Sequence, residues 1–305
     1  MRSGTFKRSC LALIVVVCTS VHPCSAQRIA FTWDDLPAHS ALPPNESRLR
    51  IIQAIIHAMQ AEHLPPAYGF INGIGMKREP GTEAVLLAWR AAGLPLGNHT
   101  WSHINLDDHT ASEFESEIQK NEPQLEALMG AEDWRWFRFP FLAEGKDADK
   151  RDQIRAYLAA HRYRVAGVTM SFGDYAWNEP YARCVAKHDE AAISGLEARY
   201  LEAADNALTY ARRMAKQRYG REIPYVLLMH VGAFDARMLS RLIALYQRRG
   251  ASFVTLEQAQ ADPVYRSDMD LNLPADPTAL KAKATTPKLG ISLSPTPPDF
   301  SALCR

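Results

Sequence analysis

From residue 28 onward, short apolar runs rich in β-branched and aromatic residues alternate with longer segments whose apolar residues recur every three or four positions. The short runs predict strands at 29–33, 67–71, 136–139, 163–168, 225–229 and 252–255, with 94–98 leading into His99. The longer segments predict helices at 47–62, where Leu49, Ile52, Ile55, Ile56 and Met59 share one face, and at 82–92, 147–161, 194–218 and 236–249. A further long helix opens at Thr110-Ala111-Ser112-Glu113, which has the form of a capping box. The stretch between 168 and 194 reads as irregular. Strands separated by helices of this length are parallel-sheet units. About seven of them in one run predict a single α/β domain, a distorted (β/α) barrel or related wound sheet, and not two independent domains. Residues 270–305 are Pro-rich and weakly patterned, an extended surface tail or a partly disordered end.

The N-terminus follows a different pattern. Arg2, Lys7 and Arg8 precede the apolar run from Cys10 to Cys18, and Cys24-Ser25-Ala26 places small residues just ahead of Gln27. This is the layout of a secretory signal over 1–26, with a catalytic domain at 27–269 and the tail at 270–305. The alternative, an uncleaved anchor, is disfavoured because the apolar run is short and no later run approaches the roughly 18 apolar residues of a membrane span. The protein is therefore expected in the periplasm or outside the cell, without stable membrane insertion. Of its five cysteines, Cys10, Cys18 and Cys24 leave with the signal; Cys184 and Cys304 remain and could form one disulfide, though spacing alone does not bring them together. The 35 basic and 34 acidic residues nearly cancel, which argues against a nucleic-acid partner.

Polar residues able to do chemistry recur at the ends of the predicted strands: Asp34 and Asp35, His99 and His103, Arg138, Asp174, and His230. In a parallel α/β barrel these ends share one rim, so residues distant in sequence converge. An extended Asp34-Asp35 pair sends its side chains to opposite faces, and a lone carboxylate facing the core is costly unless something binds it. The bland alternative is a strand-ending turn. His99 and His103, spaced like one helical turn, could reach one metal ion, and with one carboxylate they make a three-ligand set that leaves room for water and substrate. Asn98-His99-Thr100 also matches a glycosylation acceptor, read here as chance.

Together these motifs resemble those of the polysaccharide deacetylases, carbohydrate esterase family 4. The T-F-D-D motif appears as Thr32-Trp33-Asp34-Asp35, H-[ST]-x-x-H as His99 to His103, R-x-P-[YF] as Arg138-Phe139-Pro140-Phe141, and L-x-H as Leu228-Met229-His230. The resemblance spans roughly residues 28–255. It implies a metal-dependent hydrolase removing N-acetyl, or alternatively O-acetyl, groups from a carbohydrate. Asp35, His99 and His103 would hold a divalent ion, zinc first, with cobalt, nickel or manganese as alternatives. Asp34 would take a proton from the hydrolytic water, Arg138 would orient Asp34, the backbone N–H near Phe141 would stabilise the oxyanion, and His230 would protonate the departing amine. Leu228 would line the pocket for the acetyl methyl.

The fourth motif departs from the family pattern. Ser171-Phe172-Gly173-Asp174-Tyr175 keeps the second acid but has Ser171 for the first and Tyr175 for tryptophan. Asp174 can still orient His230, whereas the groove wall, and hence substrate choice, is altered; Trp177 could stack on a sugar or simply pack. Trp33 and Trp101 read as packing residues, and His57, His63, His109, His161 and His188 as surface or structural. His39, in the loop after the acids, could approach substrate. Two other functions fit the same residues: hydrolysis of a small non-sugar C–N substrate, or carbohydrate binding without catalysis, which the intact Asp34 and His230 disfavour.

Overall fold

The computed structural model describes residues 27–271 and 298–305. The predicted signal segment, 1–26, and residues 272–297 of the tail lie outside the described residues. At the centre of the sheet is β1 (Gln27–Leu36), eight of whose ten residues are buried, as expected of a parallel strand covered on both faces. The chain continues through α1 (Arg48–Ala61), β2 (Tyr68–Ile71), α2 (Ile74–Arg78), α3 (Glu83–Ala91), β3 (Leu96–Asn98), α4 (Ala111–Met129), β4 (Trp136–Phe137), α5 (Ala148–Ala160) and β5 (Arg164–Val165). It then forms α6 (Asn178–Ala186), α7 (Glu190–Tyr219), β6 (Tyr225–His230), α8 (Ala233–Arg248), β7 (Ala251–Phe253), α9 (Leu256–Gln260) and α10 (Val264–Met269).

Every strand pairing is parallel, in the order β5-β4-β3-β2-β1-β6, with β7 also on β1. Past β5 the chain crosses to the other edge, where Met170 pairs with Leu227 and the N–H groups of Thr169 and Met170 donate to Val226 O at 3.1 and 3.0 Å. One segment thus touches β4 at its start and β6 at its end, curling the sheet into the distorted, half-barrel form of an α/β fold.

The two-residue period of the strands sorts their side chains between two cores. Ile29, Phe31 and Trp33 of β1, and Tyr225, Leu227 and Met229 of β6, face the outer helices and join the main core. Ala30, Val226, Tyr68, Phe70 and Trp136 face inward and form a small apolar floor with Tyr265. Continuing each inward series by two residues at a time reaches Thr32 and Asp34, Leu228 and His230, and Arg138. The floor and the polar rim are therefore successive layers of one set of positions. Gly97 lies inward on β3 because a Cβ there would sit 2.7 Å from the Phe70 ring and 2.8 Å from the Trp136 carbonyl.

Helix starts follow local capping. The Ser47 side chain accepts from Arg50 N at the head of α1, and Thr110 and Glu113 form the expected capping box of α4. Asp189 caps α7, which begins earlier than periodicity suggests, and Thr255 caps α9, which ends the predicted last strand at Phe253. The helix predicted from 236 starts at Ala233. α6 was hidden in the stretch read as irregular, because it is short and carries Pro180 in its first turn, where proline is tolerated. Cys184 of α6 and Cys304 form a disulfide with Cα atoms 5.1 Å apart, settling the pairing that spacing left open. Among the described residues no helix is long and apolar enough to cross a membrane.

Candidate active site

Asp34 ends the inward series of β1, opposite His230 in the β1–β6 register. It is buried, and Arg138 Nη1 donates to both its oxygens at 3.0 and 3.2 Å. The guanidinium is fixed on its other sides: Nη2 donates to Thr32 Oγ1 at 3.0 Å, Nε to Ala166 O at 2.7 Å, and the plane lies 4.7 Å from the Phe70 centroid. Strict alternation would turn Asp35 outward. Its backbone instead takes φ 65°, breaking the alternation so that both carboxylates of the pair serve the same rim. The expectation of two extended, opposed acids is thus corrected by one left-handed residue.

His99 follows β3, and Nδ1 shares a 2.7 Å hydrogen bond with Arg138 O, an arrangement that protonates Nδ1 and leaves the Nε2 lone pair toward the site. The segment from His99 to His103 is not a helical turn, as its spacing suggested, but an irregular loop with φ 63° at Thr100 and φ 57° at His103. Buried amides shape it. Asn72 Nδ2 donates to His99 O and Thr100 O at 2.6 and 3.0 Å, Asn98 Oδ1 accepts from Thr100 N at 2.9 Å, and Glu117 Oε2 accepts from Ser102 N at 2.7 Å. Asn121 braces Asn98 and Gly73. Asn72, Glu117 and Asn121 were not singled out in the sequence, where an Asn after a strand, or an Asn or Glu within a helical pattern, carries no local signal. Asn98 is fully buried with its amide committed to Ile118 O and Tyr163, which agrees with reading the glycosylation pattern as chance.

On the opposite side, His230 receives two bonds from one acid: Asp174 Oδ2 accepts its backbone N–H at 2.6 Å, and Oδ1 lies 3.0 Å from Nδ1. Burial alone would lower the pKa of this imidazole, but the charge and hydrogen bond of Asp174, aided by Asp35 and Asp34, push it up to about 10. Tyr175, 47% exposed, meets the His230 ring edge-on at 5.4 Å. Phe141, 63% exposed at φ 57°, meets His103 edge-on at 4.4 Å. The two exposed aromatic rings thus flank the site. Leu228, nearly buried, continues the inward face of β6 below His230. Trp177 is not at the rim: it is fully buried among Phe172, Tyr200 and Phe300, so its reading as a sugar-stacking residue is corrected to packing behind the site. Trp33 packs edge-on against Trp89, as expected. A cleft of about 590 Å³, open to solvent, adjoins the site along His39, Tyr175, Glu179, Arg183, Asp299 and Phe300.

Asp35, His99 and His103 bring one ligand atom each to within 4.8 Å of one another. Asp35 Oδ1 lies 3.6 Å from His99 Nε2 and 3.4 Å from His103 Nε2, and it is buried without a hydrogen-bond partner. An acceptor left unpaired between two imidazole nitrogens is the signature of a cation site, and two nitrogens with one oxygen suit zinc or a similar divalent ion. Protonation states agree. Enclosure would raise the Asp35 pKa, but the His39 hydrogen bond and the nearby imidazoles hold it well below the usual carboxylate range. Enclosure and the neighbouring His99 lower His103 to about 4, so at neutral pH its lone pair is available.

A curled parallel sheet thus carries two acids, two histidines and an acid–histidine couple on one rim. Residues 22–166 match the polysaccharide deacetylase family; the matched part holds Asp34, Asp35, His99, His103 and Arg138, and ends before Asp174 and His230. Among solved structures, the chain is similar to the chitin deacetylase of the fungal pathogen Colletotrichum lindemuthianum, at 20% identity over 76% of this chain and 86% of that one, with a TM-score of 0.53. It is also similar to a mutant of a family 4 pseudoenzyme of Bacillus anthracis with restored enzymatic activity, at 17% identity over 78% of this chain and 68% of that one, TM-score 0.53. The catalytic domain of a peptidoglycan N-acetylglucosamine deacetylase from Eubacterium rectale has 15% identity over 75% of this chain and 88% of that one, TM-score 0.50. At these identities the likeness is one of fold. No curated protein sequence matches the chain.

Proposed function

We propose that the protein is an exported, metal-dependent hydrolase that removes acetyl groups, N-linked in the first place, from a carbohydrate. The observation that carries this reading is a complete acid–base pair on either side of one three-ligand set: Asp34 held by Arg138, and His230 held by Asp174. Because the fold also occurs in a pseudoenzyme, the fold by itself does not argue for catalysis; these side chains do. A divalent ion held by Asp35, His99 and His103 would act as a Lewis acid and activate water at neutral pH.

The chain's own residues supply the rest. Asp34, oriented by Arg138, takes the proton from the attacking water. The turn at Phe141 offers backbone N–H to the developing oxyanion. His230, carrying a proton through neutral pH, gives it to the amine as the C–N bond breaks. Phe141 and Tyr175 provide faces for a sugar ring, Leu228 lines the space for the acetyl methyl, and the open cleft beside His39 favours a glycan over a small enclosed substrate. Export is supported by the signal-like N-terminus and by the Cys184–Cys304 disulfide, a bond that persists in oxidising compartments.

The test is acetate release from acetylated chitooligosaccharides, peptidoglycan and acetylated xylan, with and without chelator. Release that chelator abolishes and zinc or cobalt restores is expected. No release from any of these by metal-loaded protein sinks the reading.

A further inference from the structure

The loop after the acidic pair contains a residue that the proposed reaction does not use. His39 Nδ1 lies 3.0 Å from Asp35 Oδ2, the oxygen that faces away from His99 and His103. Carboxylate oxygens accept, which makes His39 Nδ1–H the donor to Oδ2. The two oxygens of Asp35 are thus divided. Oδ1 is left unpaired between the imidazoles that face it, and Oδ2 is occupied by His39, with His230 Nε2 next nearest at 4.0 Å.

The position of His39 is built in. Arg48 at the head of α1 donates through Nη1 to His39 O and through Nη2 to Ser40 O, both at 2.7 Å, while its Nε binds the Glu79 carboxylate at 3.1 and 3.2 Å. Ala38 N–H closes the turn onto Asp35 O at 3.1 Å. The imidazole also lies against the His230 ring, with centroids 4.9 Å apart, which restrains rotation about its own side-chain bonds.

We propose that His39 is a positioning residue that restricts Asp35 to binding the ion through Oδ1 alone. A carboxylate free to turn can offer both oxygens to a cation. One whose second oxygen is tied to a fixed N–H offers one, keeps its orientation, and leaves a coordination position open for water or substrate. The proposal rests on the metal-dependent reading above and concerns the Leu36-Pro37-Ala38-His39 loop.

The experiment compares wild-type protein with His39→Ala and His39→Asn, whose amide nitrogen can take the place of Nδ1. Zinc affinity is measured by competition with a chromophoric chelator, and the visible absorption of the cobalt-loaded proteins reports coordination number. His39→Ala should bind zinc roughly 10- to 100-fold more weakly, and its cobalt spectrum should lose intensity as Asp35 supplies a second oxygen. His39→Asn should recover most of both. Circular dichroism checks that each variant is folded. Equal affinity and identical cobalt spectra for wild type and His39→Ala overturn the proposal, as does a His39→Asn variant no better than His39→Ala. These readouts need no turnover. A wild type that binds zinc but deacetylates nothing therefore defeats the functional reading and leaves the His39 result standing, whereas a wild type that binds no divalent ion overturns both.

Discussion

Replacing Asp174 with asparagine isolates the source of acidity at His230. Asp174 is fully buried and gives His230 two contacts, 2.6 Å to the backbone N–H and 3.0 Å to Nδ1. The imidazole is pushed from 6.5 up to about 10 against the opposing effect of burial, and Asp174 is the largest contributor to the rise. Asp35 and Asp34 also contribute, but a divalent ion beside them would offset their charge, so the share of Asp174 is the one that survives metal loading. Asparagine keeps the shape and one acceptor but not the charge. His230 should then titrate at roughly pH 6.5 or below, so at pH 8 its protonated fraction falls from nearly all to about 3%. Deacetylation kcat at pH 8 should drop about 30-fold and recover as the pH is lowered. Wild type should stay active well into the alkaline range.

Nuclear magnetic resonance titration of the His230 ring gives the same answer without substrate. Stability should follow with a definite sign. Because the folded-state pKa lies above the unfolded value, the His230–Asp174 pair stabilises fully below about pH 6.5 and loses its contribution as the pH rises through about 10. The upper bound is roughly 5 kcal/mol, so the Tm gap between wild type and Asp174→Asn should be widest in mild acid and close at high pH. An alkaline limb and a His230 titration unchanged in Asp174→Asn would refute the reasoning.

Three further outcomes are expected. Asp35→Ala should lose most zinc affinity by equilibrium dialysis, whereas Asp34→Asn should keep the metal and abolish acetate release; equal loss of metal from both contradicts the division of labour in the pair. Arg138→Met should destabilise the fold by about 3–5 kcal/mol in urea unfolding, because it strands the buried Asp34 charge, and adding Asp34→Asn should return part of that loss; no change in the urea midpoint would mean the pair is not buried as described. Cys184→Ser should cost about 3–5 kcal/mol of stability, as expected for a cross-link spanning a sequence separation of 120, and reductant should lower the wild-type Tm to the same degree; a Tm insensitive to reductant would exclude the bridge.

Much of the candidate site was legible because the strand period and the barrel rim are regular. Residues two apart on a buried parallel strand point the same way, so Asp34, Arg138 and His230 could be placed on one rim from their positions after apolar runs. The family motifs added the pairing of Asp35 with His99 and His103. The fold class was legible for the same reason: apolar runs alternating with amphipathic helices have few packings other than a wound parallel sheet.

What the linear pattern could not carry were the departures from regularity. Asp35 serves the site because one residue adopts φ 65°, and the two histidines meet through an irregular loop braced by Asn72, Glu117 and Asn121, not through a helical turn. Trp177 and Tyr175 lie two residues apart, yet one is sealed behind the site and the other stands at its mouth, a choice made by Phe300 of the disulfide-tethered tail covering Trp177. The amino-acid sequence by itself determined which groups could do the chemistry and which rim would hold them. Only the tertiary structure decided how each carboxylate oxygen is used, because that depends on where distant elements place a single N–H: Arg138 on Asp34, and His39 on the far oxygen of Asp35.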